Sequence, residues 1–599
     1  MTGNMIKDRI QELRRLMAEW GWDAAVTVGS DPHDSEYTPL RWCQRQFISG
    51  FTGSAGTVIV TGNHAGLWTD SRYWIQASRE LEGSGIELHK TVSVEDRDWM
   101  EWIAANVRDG GTIGVDGLCM SMGDAGELQR LTGHRGVRVV SKPDYLEALW
   151  PDRPGLPDDT VWLHEDCYSG RSRDCKLADL RKKLESMGCS YMLVSCLDEI
   201  AWLLNIRSGD VLYCPFVISF AVVGPSRVWL FAKESKFPED VREVLAESGI
   251  ELLPYSGVSG FIRSMKADGK ILINPSSLNF ETGQAVESVF GADGTVAAAS
   301  PISVMKAVKN GTEIKGFRKA YIQDGVAQTR FFHWLESTIA SGRRITEWDA
   351  SEKLHELRAA MPDFLDESFE TISAYGANAA LPHYTTVKGE DAVLNPRGLY
   401  LNDSGAHYSY GTTDITRTVP LGPLTDLERE DYTICLKAMI DLAMAVFPEG
   451  TPGGRLDAVA RRPLWQTRRN FGHGTGHGVG NLLSVHEGPQ AIRQNLNAQP
   501  LLPGMVTSDE PGIYREGFHG VRHENMILCV KDSENDFGNW LSFETLTRTY
   551  IDTSAVIPSL MDAAELEWLN CFNASVAEEI CPLLDAGDAE WLKEKTRPI

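Results

Sequence analysis

Several things that would direct a chain elsewhere are absent from this sequence. No stretch approaches the ~20 consecutive apolar residues that a membrane span needs. Eleven cysteines are scattered from position 43 to position 581, odd in number and without a C-x-x-C pair, so neither a zinc ribbon nor a disulfide framework is suggested. Thiols spread in this way point to a reducing, cytoplasmic compartment. Positive charge is scarce: Lys+Arg 58 against Asp+Glu 83 leaves a net charge of -25. A phosphate-binding face needs a basic surplus, so nucleic acid is excluded as a partner and the acidity is read as solubility. The opening run Met5-Ile6-Lys7-Asp8-Arg9-Ile10-Gln11-Glu12-Leu13 is a charged amphipathic helix with no apolar signal core. No membrane partner is expected.

What is present is ordinary in bulk. The hydrophobic fraction is 42% and the mean hydropathy -0.23, the values of a globular protein. At 599 residues the chain is too long for one core and should divide into three or four domains. The first half carries an internal repeat. Leu13 aligns with Leu180, Arg14 with Arg181 and Gly21 with Gly188, all at one offset (180 − 13 = 167). Each copy reads as a helix ending at glycine and followed by an apolar strand, Ala24 to Val28 and Tyr191 to Val194. Two copies at so long a spacing indicate a duplicated domain, with chance alignment of two amphipathic helices as the competing account. The stretch Pro151-Asp152-Arg153-Pro154-Gly155-Leu156-Pro157-Asp158-Asp159 has linker composition where a boundary should fall.

A third region begins near Pro301. Asn310 followed by Glu313 caps a long helical pattern, Ile314 to Ile339. Helices then alternate with short strands and glycine turns to about Ile551, and an acidic helical tail runs from Leu560 to Pro598. Within this region Asp403, Asp414, His477, Glu510 and Glu524 read as a ligand set. Asp403 lies where a strand runs into a turn, and Asp414 on the return strand. His477 closes the glycine-rich run from His473 to Gly480; Glu510 opens Glu510-Pro511-Gly512; Glu524 follows Val521-Arg522-His523. Four carboxylates and one imidazole suit hard or borderline divalent ions such as Mn²⁺, Co²⁺ or Zn²⁺, and the four negative charges balance two of them. This is the signature of a dinuclear hydrolase.

Those segments, with Arg522-His523-Glu524-Asn525, resemble the creatinase/aminopeptidase or "pita-bread" metallopeptidases, and within them the three-domain cytosolic form of aminopeptidase P. The likeness extends to Phe47-Ile48-Ser49-Gly50-Phe51-Thr52-Gly53-Ser54-Ala55-Gly56, Trp68-Thr69-Asp70-Ser71-Arg72-Tyr73, Asp198-Glu199-Ile200-Ala201-Trp202 and Leu541-Ser542-Phe543-Glu544-Thr545. It implies an α/β (α+β) chain: creatinase-like domains at 1–150 and 160–300, then a pita-bread catalytic domain with a C-terminal extension at 301–599. It further implies a proline-specific aminopeptidase acting on peptides that begin Xaa-Pro, with two divalent metal ions per chain (Mn²⁺ first, Zn²⁺ or Co²⁺ as alternatives), cytoplasmic and homodimeric.

Carried over residue by residue, Asp414 and Glu524 bridge the two ions, Asp403 completes one, and His477 and Glu510 complete the other. Glu510 takes the proton of the attacking hydroxide's parent water and passes it to the departing amine. His383 and His486 contact substrate, His473 assists the transition state, and Arg72 reaches substrate from the first domain. Arg522 shares strand parity with Glu524; it either orients a ligand carboxylate or neutralises local charge. Tyr514 is a pocket wall or a proton donor. His523 is expected to be exposed. The alternatives are a prolidase-type dipeptidase and a non-catalytic pita-bread peptide-binding module; a methionine aminopeptidase would lack the first 300 residues.

Overall fold

The computed structural model describes residues 3–91, 96–495 and 497–599. They form two compact units, Met1–Leu163 with Arg171–Ile302 and His164–Gly170 with Ser303–Ile599.

The first unit contains two six-stranded sheets. In one, β1 (Ala24–Val28), β2 (Thr57–Thr61), β3 (Ala65–Thr69), β4 (Glu87–Lys90), β5 (Thr112–Val115) and β6 (Arg138–Ser141) lie in the order β4-β3-β2-β1-β5-β6. In the other, β7 (Tyr191–Val194), β8 (Ser219–Val223), β9 (Val228–Ala232), β10 (Ile250–Pro254), β11 (Ile271–Ile273) and β12 (Thr295–Ala297) lie in the order β10-β9-β8-β7-β11-β12. The two orders correspond strand for strand. Helices α1 (Gly3–Trp20) and α3 (Arg173–Ser186) precede β1 and β7, and α2 (Asp98–Asn106) packs on the first sheet.

The repeated residues hold equivalent places. Leu13 and Leu180 are fully buried. Arg14 Nε donates to the Thr61 carbonyl at 2.9 Å and Arg181 Nε to the Gly224 carbonyl at 3.0 Å, each clipping its helix to the hairpin after the second strand. Gly21 and Gly188 have φ of 69° and 70°, the left-handed conformation that lets a helix end and turn into a strand.

In the second unit, α4 (Gly311–Ala340) starts at a capping box. The Asn310 side chain accepts from the Thr312 and Glu313 N–H groups, and Glu313 accepts from the Asn310 N–H at 2.8 Å. Its apolar residues Phe331, Phe332 and Leu335 pack with Tyr432, Leu436 and Met439 of α5 (Asp426–Ala443) and with Leu464 of α6 (Gly453–Gln466). The tail helices α7 (Ala563–Ile580) and α8 (Ala586–Lys595) join the same core through Leu569, Phe572 and Leu592. Trp591 stacks on His333 of α4 at 5.2 Å.

These helices back two sheets. β13 (Ile372–Tyr375), β14 (Leu399–Ser404) and β15 (Ile415–Pro420) form one, in that order. The other takes β16 (Phe447–Pro448), β17 (Gly476–Gly478), β18 (Glu487–Ile492), β19 (Val506–Asp509), β22 (Asn525–Asn535) and β23 (Gly538–Thr545) in the order β16-β23-β22-β19-β17-β18. Between β19 and β22 in sequence, β20 (Gly512–Arg515) and β21 (His519–Arg522) make a hairpin. Arg417 on β15 is buried and ties these parts together. It donates to the Glu524 carbonyl at 2.5 Å, Asn525 Oδ1 at 2.8 Å, the Thr549 carbonyl at 2.7 Å and the Tyr550 carbonyl at 3.0 Å.

Candidate metal centre

Four strand ends bring the ligand candidates together. Asp403 sits near the end of β14, in register with Thr416 of β15. Asp414 immediately precedes β15, and its N–H donates to the Tyr321 hydroxyl of α4 at 3.2 Å. Glu524 occupies the break between β21 and β22, its N–H on the Thr416 carbonyl at 3.1 Å. His477 is in the middle of β17, and Glu510 directly follows β19 with its N–H on the Thr475 carbonyl at 2.8 Å. The glycines around His477 follow from close strand approach. A Cβ on Gly476 would overlap the Ser508 carbonyl oxygen, and one on Gly478 the Glu487 carbonyl oxygen.

Donor atoms of Asp403, Asp414 and Glu524 lie within 4.8 Å of one another, as do those of His477, Glu510 and Glu524. Glu524 is common to both groups. Asp414 forms a further group with His477 and His486. All five ligand candidates are thus gathered, Asp403, Asp414 and Glu524 buried and His477 and Glu510 half-buried. His477 Nδ1 bonds the Gly478 carbonyl at 3.0 Å, which turns Nε2 toward Glu510 Oε1 at 3.2 Å and Asp414 Oδ2 at 3.5 Å.

The charges fit bound cations. Asp403 Oδ1 and Glu524 Oε1 are buried and accept no hydrogen bond from the protein, an expensive state for carboxylate oxygens without a counter-ion. Burial, followed by repulsion among the acids, pushes Asp414 and Glu524 well above the carboxylate range; burial also raises Asp403 against the opposing pull of Arg522. Glu510 differs. Burial opposes its ionisation, but the His477 hydrogen bond and nearby positive charge, Arg522 included, prevail and bring it down to about 2.

A hydrogen-bonded chain leads from this cluster. Arg522 donates to Asp403 Oδ2 at 2.5 Å, to the Tyr514 hydroxyl at 2.8 Å and, through Nε, to Thr416 Oγ1 at 3.1 Å. The Tyr514 hydroxyl lies 2.7 Å from His473 Nε2. Since His473 Nδ1 bonds the Gly474 carbonyl at 2.8 Å, Nε2 is the acceptor and Tyr514 the donor. Burial holds His473 neutral, down to about 4. Arg522 therefore both orients the Asp403 carboxylate and supplies charge, and Tyr514 is a link between His473 and Arg522.

The remaining candidates are placed as follows. His486 is exposed with its ring 4.4 Å from that of His477. His383 is exposed on the segment after the turn Gly376–Ala380; that turn packs so closely on β21 that a Cβ on Gly520 would overlap the Ala379 carbonyl. Arg72 belongs to the first unit, where it forks onto the buried Asp70 at 2.8 and 2.9 Å. His523 corrects an expectation: it is fully buried, its ring edge-on to Tyr432 of α5 at 4.4 Å, and burial lowers it to about 3. Alternation sends Arg522 and Glu524 to the site and His523 to the other side, where helix α5 rather than solvent covers it.

Two supports were not expected from the sequence. Thr416 Oγ1 donates to Glu524 Oε2 at 2.8 Å. Ser508 Oγ accepts from the His477 N–H at 2.9 Å and donates to Glu510 Oε1 at 3.0 Å. The available signal was parity: Asp414 and Thr416 are two residues apart in extended chain and share a face, as do Ser508 and Glu510.

Comparison with known proteins covers the whole chain. A family model for "Metallopeptidase family M24" matches residues 315–531, and "C-terminal region of peptidase_M24" matches 539–599. "Creatinase/Prolidase N-terminal domain" matches twice, at 9–145 and 152–313. "Aminopeptidase P2" of Arabidopsis thaliana is 38% identical, over 100% of this chain and 89% of its own length. "Probable Xaa-Pro aminopeptidase P" of Paracoccidioides brasiliensis is 38% identical over 99% of each. The X-prolyl aminopeptidase of Caenorhabditis elegans, described as a cytosolic enzyme with a di-nuclear active site, superposes at a TM-score of 0.95 with 32% identity, covering 100% of both chains. A prolidase from Thermococcus sibiricus shares the fold over 64% of this chain, at a TM-score of 0.51 and 23% identity.

Proposed function

This chain belongs to metallopeptidase family M24, among the Xaa-Pro aminopeptidases P, and on that premise we propose that it releases the N-terminal residue from peptides with proline in second place. The observation that carries the reading is the two overlapping donor groups that share Glu524, with buried acceptors on Asp403 and Glu524 lacking a protein partner. Asp403, Asp414, His477, Glu510 and Glu524 hold two divalent ions, manganese being the first assignment and zinc or cobalt the alternatives. Such ions lower the pKa of a water molecule and polarise a scissile carbonyl.

The chain's own groups do the rest. Glu510, ionised across the neutral range, accepts the proton of the attacking water and delivers it to the proline nitrogen as the C–N bond breaks. That nitrogen carries no hydrogen in the peptide, so it must gain one to leave as an amine. Carboxylates around the centre anchor the substrate's free α-ammonium. His486, beside His477 at the exposed rim, and His383 contact the peptide. His473 acts through Tyr514 and Arg522, holding Asp403 in position. Residues 1–150 and 160–300 form the creatinase-like pair and 301–599 the catalytic domain. Cytoplasmic location and a homodimer accompany this reading on the family resemblance.

The test is hydrolysis by metal-stripped protein reconstituted with Mn²⁺. Release of the first residue from an Xaa-Pro-Yaa tripeptide, with two ions per chain by elemental analysis, is the expected result. Cleavage confined to Xaa-Pro dipeptides assigns a prolidase, and no cleavage with peptide still bound assigns a binding module.

A further inference from the structure

Outside this centre, two imidazoles face each other at one side of the first sheet. Strands β3 and β4 pair in parallel, with Gly66 opposite Glu87 and Trp68 opposite His89. The two-residue period of β4 sends Glu87 and His89 to the same face, and His64, in the turn before β3, stands beside them. Gly66 provides the space. A Cβ there would come within 2.7 Å of His64 Nε2, 2.7 Å of the Trp68 ring and 2.9 Å of His89 Cδ2. His64 Nε2 and His89 Nε2 are 3.3 Å apart, and Glu87 Oε2 is 3.8 Å from His64 Nδ1. One donor atom from each of the three residues fits within a 4.8 Å cluster. Both rings are clamped: His89 stacks on Trp68 at 3.9 Å with planes 6° apart, and His64 packs against Trp102 of α2 at 4.6 Å.

A hydrogen bond between two neutral imidazoles would place the nitrogens nearer the usual ~2.9–3.0 Å and gives the carboxylate nothing to do. Two nitrogens bound to one Zn²⁺ at about 2.0–2.1 Å, on tetrahedral corners, lie roughly 3.3–3.4 Å apart. Burial lowers both histidines below their ordinary range, so at neutral pH each can offer a lone pair. Glu87 is 66% exposed, which leaves its carboxylate free to swing in and the outer position open to water.

We propose that His64, Glu87 and His89 form a transition-metal site independent of the M24 centre, binding one Zn²⁺, or Ni²⁺ or Cu²⁺ offered in its place, with water as the fourth ligand. Imidazole with carboxylate suits these ions. The bound ion ties the turn between β2 and β3 to β4, the outermost strand of the sheet order.

The test counts ions in full-length protein stripped of metal, saturated with Zn²⁺ and desalted. The parent should hold one ion more than the double variant His64→Gln/His89→Gln, whose peptidase activity should match the parent's. Asp414→Asn should keep this ion. Cu²⁺ titration provides a second reading, because Trp68 and Trp102 lie against the ligands and their fluorescence should be quenched. Glu87→Gln, an exposed change, should weaken that quenching titration roughly 10-fold or more, the scale on which metal-site partners act. If the double variant does not fold, the Glu87→Gln titration decides alone. Equal ion counts in parent and double variant, or a Cu²⁺ titration unaltered by Glu87→Gln, overturn the site and leave a histidine–histidine hydrogen bond.

Discussion

Thr416 donates its hydroxyl to Glu524 Oε2 at 2.8 Å, and that bond aims the other oxygen, Oε1, into the carboxylate cluster with no protein partner. The same hydroxyl accepts from Arg522 Nε at 3.1 Å. One small side chain thus sets the orientation of the residue common to both donor groups and of the arginine on Asp403. Thr416→Val preserves shape and removes only this polar atom. Its metal affinity should fall about 10- to 100-fold, with activity largely restored at saturating Mn²⁺. A metal titration of kcat checks this; an unchanged midpoint would show that Glu524 needs no such support.

Asp414→Asn should act with opposite sign on the two forms of the protein. In the metal-free chain it removes one of four crowded acids, whose repulsion with Glu524, Asp403 and Glu510 contributes to the upward shift of Asp414, so the melting temperature should rise. In the metal-loaded chain it removes a ligand charge, so at least one ion and nearly all activity should be lost. Differential scanning calorimetry with and without Mn²⁺ separates the two effects. Activity retained with both ions bound would remove Asp414 from the ligand set.

Gly476→Ala tests whether strand spacing sets the site. The added methyl must displace the Ser508 carbonyl on β19, moving β17 and with it His477 away from Glu510. Overpacking of this kind costs about 1–3 kcal/mol. The expected result is a lower melting temperature together with loss of one metal equivalent. Full metal content at reduced stability would mean that the strands shift as a body.

A pH prediction rests on Asp431 of α5. Burial opposes its ionisation, but hydrogen bonds from His519, Arg515 and Arg469 hold it well below the ordinary carboxylate range. With a depressed folded pKa, the stabilisation is complete above the unfolded value of ~3.9 and is lost as pH falls below it. Asp431→Asn leaves two arginines and His519 without their carboxylate, at a cost on the order of 3 kcal/mol at neutral pH. Melting temperatures of parent and variant should therefore converge as pH drops below about 4. Arg515 and His519 pair next to the turn of the hairpin that carries Tyr514 and Arg522, so activity should fall with stability. A pH-independent gap would locate the effect in packing instead.

The clustering of the five ligand candidates had a local mark in the sequence where a strand ends beside a turn residue, as at Asp403 before Gly405 and Glu510 before Pro511, because local chemistry fixes direction there. The repeat was legible for a similar reason: Arg14 and Gly21, like Arg181 and Gly188, do the same local work at the end of a helix. Thr416 and Ser508 were not legible, because a hydroxyl's value depends on which strand lies opposite, and register across 108 residues, as between Thr416 and Glu524, leaves no local mark. His523 was misread since parity tells which way a side chain points but not what covers it. Arg72 was legible as a motif, while its pairing with Asp70 two residues away emerged only from the turn geometry.

Arg417 has a consequence for how the chain comes into being. Apart from the adjacent Thr416 carbonyl, its partners Glu524, Asn525, Thr549 and Tyr550 all lie more than 100 residues downstream. At roughly 5–20 residues per second of synthesis, well over 5 s separate the appearance of Arg417 from that of the last of them. Until then this guanidinium cannot be buried without leaving its donors unpaired, so β15 has no stable place in its sheet. The two acids that precede it in sequence, Asp403 and Asp414, wait in the same half-built state, solvated and unable to crowd. The second unit is thus made in an order that postpones assembly of its most repulsive cluster until the chain that supplies His477 and Arg522 is already present.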